Sequence, residues 1–424
     1  MGTASSTPGV PFQTLPDAPD DSTALLESPP GGSASNASRG GVDTRLGVRR
    51  SDSAAPGVDR VVLLASAWCL ACLGVVAVQT ASITTRQEGF EPIYLSRHLV
   101  NLALAVGLAT WAAGRDAGFW RRAVWPAAGL CLLSLLAVRV PGVGLSAGGA
   151  TRWVRLPGFT MQPSEWAKVA LPMLAAWWLH ECGSRRAAAA AMALGGACLA
   201  LVLTQPDLGT TLLLAAGVAA ALWLGGLRLR VFAAGALLLV PAAAAVSLRG
   251  YQLRRVEGLV ATWRDWREAP YQLKQSLIAL AEGGWWGVGL GRGWQKLSFL
   301  PESHTDFVLA VVGEEMGFAG LAVVAGLWTA VLLSGLSLAS RAADRFAGTV
   351  AAVFVTMLCL QAALNAAVVT AVVPPTGIPH PLLSYGGNSL LVTGLSLGMV
   401  VSLTRPAAVR TAAIEPAETL RRAA

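Results

Sequence analysis

The sequence predicts an all-α, polytopic membrane protein with about ten transmembrane helices and a large extracytoplasmic loop between helices 7 and 8. Three observations carry this. Of the 424 residues, 54% are hydrophobic and only 13% are charged, with a mean hydropathy of +0.56, whereas a soluble domain carries roughly 25% charged residues. Apolar runs approaching the roughly 20 residues that cross a bilayer as a helix recur along the chain. Arginines cluster in every second gap between those runs, as the positive-inside rule requires of cytoplasmic loops.

Residues 1–58 stand apart. They are rich in Ser, Pro, Gly and Asp, cannot bury enough apolar surface to offset the entropy of ordering, and are expected to form a disordered cytoplasmic tail. The basic start and short apolar core of a secretory signal are missing, which disfavours a cleaved presequence. The expected spans are 61–82, 98–114, 123–138, 165–180, 187–204, 209–227, 231–248, 316–339, 347–373 and 388–404, within a membrane domain of 59–406 that a short cytoplasmic tail, 407–424, follows.

Orientation follows from the short loops. Arg115, Arg121, Arg122, Arg185, Arg186, Arg228, Arg230, Arg341 and Arg345 fall on one side if the spans alternate, together with the arginines before the first span and after the last. That side is therefore the cytoplasm, with both termini in it. The opposite side receives the unusual loops 139–164, 205–208, 249–315 and 374–387. Loop 249–315 is long enough to suggest function. Its stretch YQLKQSLIALAEGGWWGVGLGRGW joins an amphipathic helix to a Gly- and Trp-rich turn, so it is expected to lie against the outer leaflet.

The net charge is +8, but the arginines are scattered between spans and form no single basic face for nucleic acid. The six cysteines lie in or beside apolar runs and read as small buried hydrophobes. Cys69 and Cys72 form a CxxC with no partner pair, so neither a redox nor a metal role is expected.

Two constellations remain that packing alone does not explain. In PESHTDFVLAVVGEE (301–315), Asp306 is expected to open a helix with Thr305 as its N-cap. An acid in a first turn also complements the helix dipole, which is the plainer reading. Glu302 and His304 beside it favour chemistry, because neighbouring acids at a partly dehydrated surface raise one another's pKa and suit a carboxylate that takes a proton. Glu314 and Glu315 precede an uncharged run, 316–339, so the helix is expected to bend near Gly313 or Gly317 and line a wet cavity. Glu302, His304 and Asp306 could also ligate a divalent cation. No second ligand cluster accompanies them, so no tightly bound metal is expected and a cation requirement stays open.

The second constellation is GGATRWVRLPGFTMQPSEWAKVALP (148–172). Glu165 and Lys168 share a helix face at i, i+3, while Arg152 and Arg155 flank Trp153 and could cradle a pyrophosphate and a sugar. TQPDLGT (204–210) and GIPHPLLSYGGNSLL (377–391) mark helix breaks. Gln361 and Asn365, one turn apart in the ninth span, suit interhelical hydrogen bonds.

Taken in order, QPSEWAK, QPDLGTTLLL, YQLKQSLIALAEGGWWGVGLG, KLSFLPESHTDFVLAVVGEEMGFAG and PHPLLSYGGNSLL resemble the SEDS family of FtsW and RodA over residues 60–405, with VGEE and the Gly–Trp loop closer to the FtsW branch. The resemblance implies a ten-helix glycosyltransferase that polymerises lipid II into peptidoglycan, using undecaprenyl-pyrophosphate-linked glycan beside a class B penicillin-binding protein and other division proteins. It implies Asp306 as the catalytic residue, Trp153, Glu165 and Lys168 as cavity residues, and Ser384 to Gly387, with Tyr385, as the outer turn near the donor. His380 stands where such proteins usually have Leu, and Asn388 replaces a Ser.

On this basis Asp306 is expected to be the base, Glu302 and His304 its substrate-side neighbours, and Arg152, Arg155 or Lys296 the pyrophosphate ligands. A RodA-like elongation enzyme, a lipid II flippase and a scaffold for the transpeptidase are the alternatives. The inverted repeats common in transporters were not found, and a scaffold needs no HTDF acid.

Overall fold

A chain in lipid must satisfy every backbone N–H and C=O internally, so long apolar runs become helices. The computed structural model describes residues 56–82, 93–147, 150–205, 207–228, 230, 250–297 and 299–406. Its helices are α1 (Pro56–Ala81), α2 (Ile93–Ala113), α3 (Ala117–Ala137), α4 (Pro163–His180), α5 (Arg185–Leu203), α6 (Leu208–Leu224), α7 (Gly250–Arg264), α8 (Tyr271–Gly283), α9 (Val308–Ser340), α10 (Arg345–Val369) and α11 (Gly387–Leu403). The expected seventh span, 231–248, and residues 1–55 and 407–424 lie outside the described residues. The other expected spans each fall on a helix. Among the described residues, α1, α5, α9 and α10 are long and apolar enough to cross a membrane by themselves, and the chain is a helical, polytopic membrane protein.

Helix starts follow their caps. Asp116, Ser184, Asp207 and Asp344 each accept the backbone N–H three residues on, at 2.8 to 3.2 Å, relieving one orphan donor apiece. Small residues then set the packing. A Cβ on Gly394 of α11 would stand 2.5 Å from the Ala105 carbonyl of α2, and one on Gly398 would stand 2.8 Å from Ala109 Cα, so this glycine pair lets two backbones touch. The buried helix α4 packs against α3, α5, α6, α10 and α11.

The loops assigned to one side by charge do meet at one end of the bundle. Arg121 bridges Glu181 and Asp344 at 2.8 Å each, and Arg341 pairs with Asp59 at 3.0 Å. Ser402 Oγ donates to the Arg115 carbonyl at 2.6 Å. The expected outer loops meet at the other end: Arg152 Nε donates to Gln205 O at 3.1 Å, Arg255 Nη1 to Pro375 O at 2.5 Å, and Trp263 Nε1 to Ala371 O at 2.9 Å.

One detail is added to the helical fold and one expectation needs correction. Residues 144–161, between helices, form a small antiparallel sheet, β1 (Gly144–Ala147), β2 (Ala150–Leu156) and β3 (Phe159–Met161), in the order β1-β2-β3. Leu156 pairs with Phe159 across Pro157 and Gly158, whose φ of 82° suits glycine. The residues TRWVRL over 151–156 show no apolar–polar alternation to signal β2, although in the fold Val154 is buried while Thr151 and Arg155 are exposed. Asp306 does not open a helix. Residues 301–307 form turns, α9 begins at Val308, and Thr305 Oγ1 donates to the Glu302 carboxylate at 2.7 Å instead of capping. The left-handed φ of 55° at Glu302 and the Phe307 N–H bond to Glu302 O at 3.2 Å close that turn.

The expected bend is present at Gly317, with φ 66° and ψ −165° inside α9. The break frees backbone groups, and the glycine-rich loop after α8 takes them. Phe318 and Ala319 N–H donate to Gly284 and Trp285 carbonyls at 2.9 and 3.1 Å, while Val288 and Gly289 N–H donate to Glu314 and Glu315 carbonyls at 3.0 Å.

Candidate active site

The turn 301–307 would be loose if its polar groups faced water, and three consecutive carbonyls hold it. His304 O accepts from Tyr385 N at 2.8 Å, Thr305 O from Ser384 Oγ at 2.6 Å, and Asp306 O from Asn365 Nδ2 at 2.7 Å. Ser384 Oγ in turn accepts from His380 N at 2.8 Å, and Asn365 Nδ2 also reaches Ile378 O at 3.0 Å. With its backbone turned towards α10 and segment 378–385, Asp306 presents its carboxylate to a cavity of about 830 Å³. Gly377 lies beside it with a φ of 72°, a backbone conformation that favours glycine.

Of the residues expected at the site, Asp306, Glu302, Trp153, Glu165 and Tyr385 line this one cavity. Lys168 stands behind the wall, 2.7 Å from Glu165 and donating to Gln361 Oε1 at 2.8 Å. Ser384 is buried as a strut. His304 packs its ring on Tyr94, centroids 4.6 Å apart, and near Tyr385 at 5.8 Å. Burial pushes the His304 pKa down despite the Glu302 charge, so the imidazole is neutral at pH 7.

The expected arginine cradle does not form. Strand alternation sends Arg152 and Trp153 to opposite faces of β2. Arg152 contacts Gln205 O and lies 3.8 Å from Asp207, while Arg155 is exposed and outside the cavity lining. Lys296 is a poorer candidate still, because its ammonium is buried against Glu315, away from the cavity. A charge already committed in that way has little left for a ligand.

Burial, and next the Glu302 charge, push the Asp306 carboxyl up to about 6. Arg255 pulls it down, Asp207 pushes it up and Arg152 pulls it down again. The charges of two arginines from different segments therefore reach the acid, though neither lines the cavity, and Arg255 was missed at the sequence level. Nothing in the sequence around it marked it. Asp207 could have been found from TQPDLGT, where it was read only as part of a turn. Arg97, Asn101 and Asn388 also line the cavity. Asn388 Nδ2 donates to Thr160 O at 2.9 Å and its Oδ1 accepts from Gln162 N at 3.3 Å, tying β3 to the start of α11. Among the described residues no group of three His, Cys, Asp or Glu is arranged to hold a metal.

A carboxylate of raised basicity, rigidly held at a cavity that Arg97 also lines, can accept a proton while positive charge nearby steadies a departing anion.

Known proteins share this frame. Residues 60–408 match the FtsW/RodA/SpoVE family model, described as cell cycle protein. The probable peptidoglycan glycosyltransferase FtsW of Geobacter metallireducens is 37% identical over 352 residues, which cover 81% of this chain and 94% of that protein. Its counterpart in Halorhodospira halophila is also 37% identical, over 81% of this chain and 89% of that one. A chain from a peptidoglycan synthase complex superposes with a TM-score of 0.65 at 29% identity, covering 81% of this chain and 96% of that one. The rod shape determining protein RodA of Thermus thermophilus gives a TM-score of 0.60 at 27% identity over 81% and 96%. With the family model spanning most of the chain and relatives this similar along nearly their whole length, the chain belongs to the FtsW/RodA/SpoVE family.

Proposed function

We propose that the chain is a peptidoglycan glycosyltransferase of the FtsW type, which polymerises glycan strands from lipid II at the outer face of the bacterial cytoplasmic membrane during septal wall synthesis. The observation that carries this reading is Asp306: a cavity-facing carboxylate whose backbone is held by three separate partners and whose pKa is raised to about 6. At pH 7 such a group is still about nine-tenths ionised, yet it is more basic than an ordinary aspartate. It takes the proton from the sugar 4-hydroxyl of an incoming lipid II as that oxygen bonds to the anomeric carbon of the growing glycan. The bond to undecaprenyl pyrophosphate breaks, and the leaving pyrophosphate keeps the electron pair.

Arg152, outside the cavity lining, acts on the acid through its charge and adds positive potential for the leaving group. Glu302 keeps Asp306 basic, and Trp153 and Tyr385 offer ring faces to sugar. Both termini lie in the cytoplasm, and a class B penicillin-binding protein among the division proteins is the transpeptidase partner. Purified Asp306→Asn protein, folded and with that partner present, should polymerise lipid II about 10² to 10⁴ times more slowly, the usual contribution of a general base. Polymerisation at the parent rate would refute the assignment, and lipid II translocation without polymer would favour a flippase.

A further inference from the structure

The loop after α8 is rich in glycine and tryptophan, and it is locked to the rest of the protein. Beyond its four backbone hydrogen bonds to the break in α9, the Glu314 carboxylate accepts from Trp294 N at 2.6 Å and Gln295 N at 3.1 Å, and Lys296 pairs with Glu315. The loop therefore cannot swing independently of α9.

Its outward face is nonetheless apolar. Trp285, Trp286, Leu290 and Trp294 are 72%, 84%, 60% and 68% exposed, values that leave most of each side chain without protein cover. Phe318, just past the break, is 56% exposed and meets Trp285 edge-on with centroids 5.1 Å apart. A rigid face of this kind calls for an apolar covering.

Two helices measure where that face lies. At the far end of the bundle, Arg341 pairs with Asp59, next to Arg60, which marks one membrane boundary. From Arg341 back along α9 to Phe318 is 23 residues, about 34 Å at about 1.5 Å per residue. On α1, Leu290 shares a crevice with Val76 and Thr80, which lie 16 and 20 residues beyond Arg60, about 24 and 30 Å away. The hydrocarbon core is about 30 Å thick. Both rulers put the loop at the second boundary of that core, the depth at which Trp side chains concentrate in membrane proteins.

We infer that residues 285–294 are a lipid anchor, with the Trp285, Trp286 and Trp294 rings seated among the carbonyl and upper acyl groups of the phospholipid leaflet on the Asp306 side. Because the anchored loop is bonded to the first turns of α9, and Asp306 precedes α9 by two residues, the anchor fixes the height of the acid above the bilayer. The inference concerns lipid contact alone and does not depend on the reaction proposed above.

The test uses the full chain in vesicles of phosphatidylcholine and phosphatidylglycerol. Tryptophan emission of the parent minus that of Trp285→Phe/Trp286→Phe isolates the two rings, and Trp286→Phe alone, which keeps Trp285 on Phe318, guards against a misfolded double variant. Phospholipid spin-labelled near the glycerol should quench the difference emission by about twofold or more, label near the bilayer centre should quench it less, and iodide on both sides of the membrane should scarcely quench it, as an interfacial depth requires. Strong iodide quenching with little effect of either lipid would overturn the inference and indicate a water-facing surface left for a protein partner. Strongest quenching by the deep label would overturn it as well, since the rings would then lie inside the core.

Discussion

Replacing Lys168 by Met removes the cation from a buried pair while keeping most of the side chain's volume. The Lys168 and Glu165 side chains are 7% and 5% exposed and 2.7 Å apart, so surface values of at most about 1 kcal/mol do not apply. Removing one partner of a buried pair costs about 3–5 kcal/mol, because Glu165 keeps a charge with nothing opposite it. Gln361 Oε1 also loses the donor it has at 2.8 Å. At about 2 °C per kcal/mol for a large domain, Lys168→Met should melt about 6–10 °C below the parent in the same detergent, followed by intrinsic fluorescence. The double variant Lys168→Met/Glu165→Gln removes both charges and should recover to within about 3 °C, the residue being the lost hydrogen bond of about 1 kcal/mol. Polymerisation should not recover with it, since Glu165 lines the cavity. A double variant as unstable as the single one would show that the lysine contributes packing and not charge, and would refute the reasoning.

Three further outcomes follow from the geometry. Polymerisation should fall about tenfold per pH unit below about 6, because only ionised Asp306 accepts a proton; Glu302→Gln removes a charge that raises this pKa, so the midpoint of the pH–rate profile should move to lower pH, and an unmoved midpoint would count against the role given to Glu302. Asn365→Leu leaves the Asp306 and Ile378 carbonyls unpaired, at about 1–3 kcal/mol for each buried group, and should lower kcat more than it raises KM in steady-state assays. Gly317→Ala forces a side chain into a glycine-only backbone region and to 2.6 Å from the Trp285 carbonyl carbon, so a loss of at least about 1–3 kcal/mol should appear as lower folded yield and a lower melting temperature.

What was legible in the sequence is what depends on composition and short-range order. Apolar runs of bilayer length can only be helices in lipid, and the same arginines that signalled one side of the membrane join at one end of the bundle through Arg121, Arg341 and Arg115. The break at Gly317 was legible because a charge-free run followed a helix that carried two acids. The sheet over 144–161 was not legible, because TRWVRL has no apolar–polar alternation and a strand of seven residues is far shorter than a membrane span.

The site itself separates in the same way. Asp306 could be singled out because its neighbours are local in sequence, Glu302 and His304. Its electrostatic partners are not: Arg255 lies about fifty residues upstream and Arg152 about a hundred further, and only the fold brings their charges within reach of one carboxylate. The arginine cradle fails for the same physical reason. Arg152 and Arg155 look like a pair when spacing is read along the chain, but an odd offset of three residues on a strand puts them on opposite faces. Lys296 looks free until Glu315, nineteen residues on, is found to hold it. A basic side chain in a low-charge protein is therefore best assumed committed to an acid until shown otherwise, because an unpaired charge near lipid costs several kcal/mol. On that rule Arg152, beside Asp207, serves the leaving group only by sharing its charge. The Asp207→Asn variant should then strengthen the pull of Arg152 on Asp306 and shift the pH–rate midpoint downward, the direction opposite to that expected from losing Arg152.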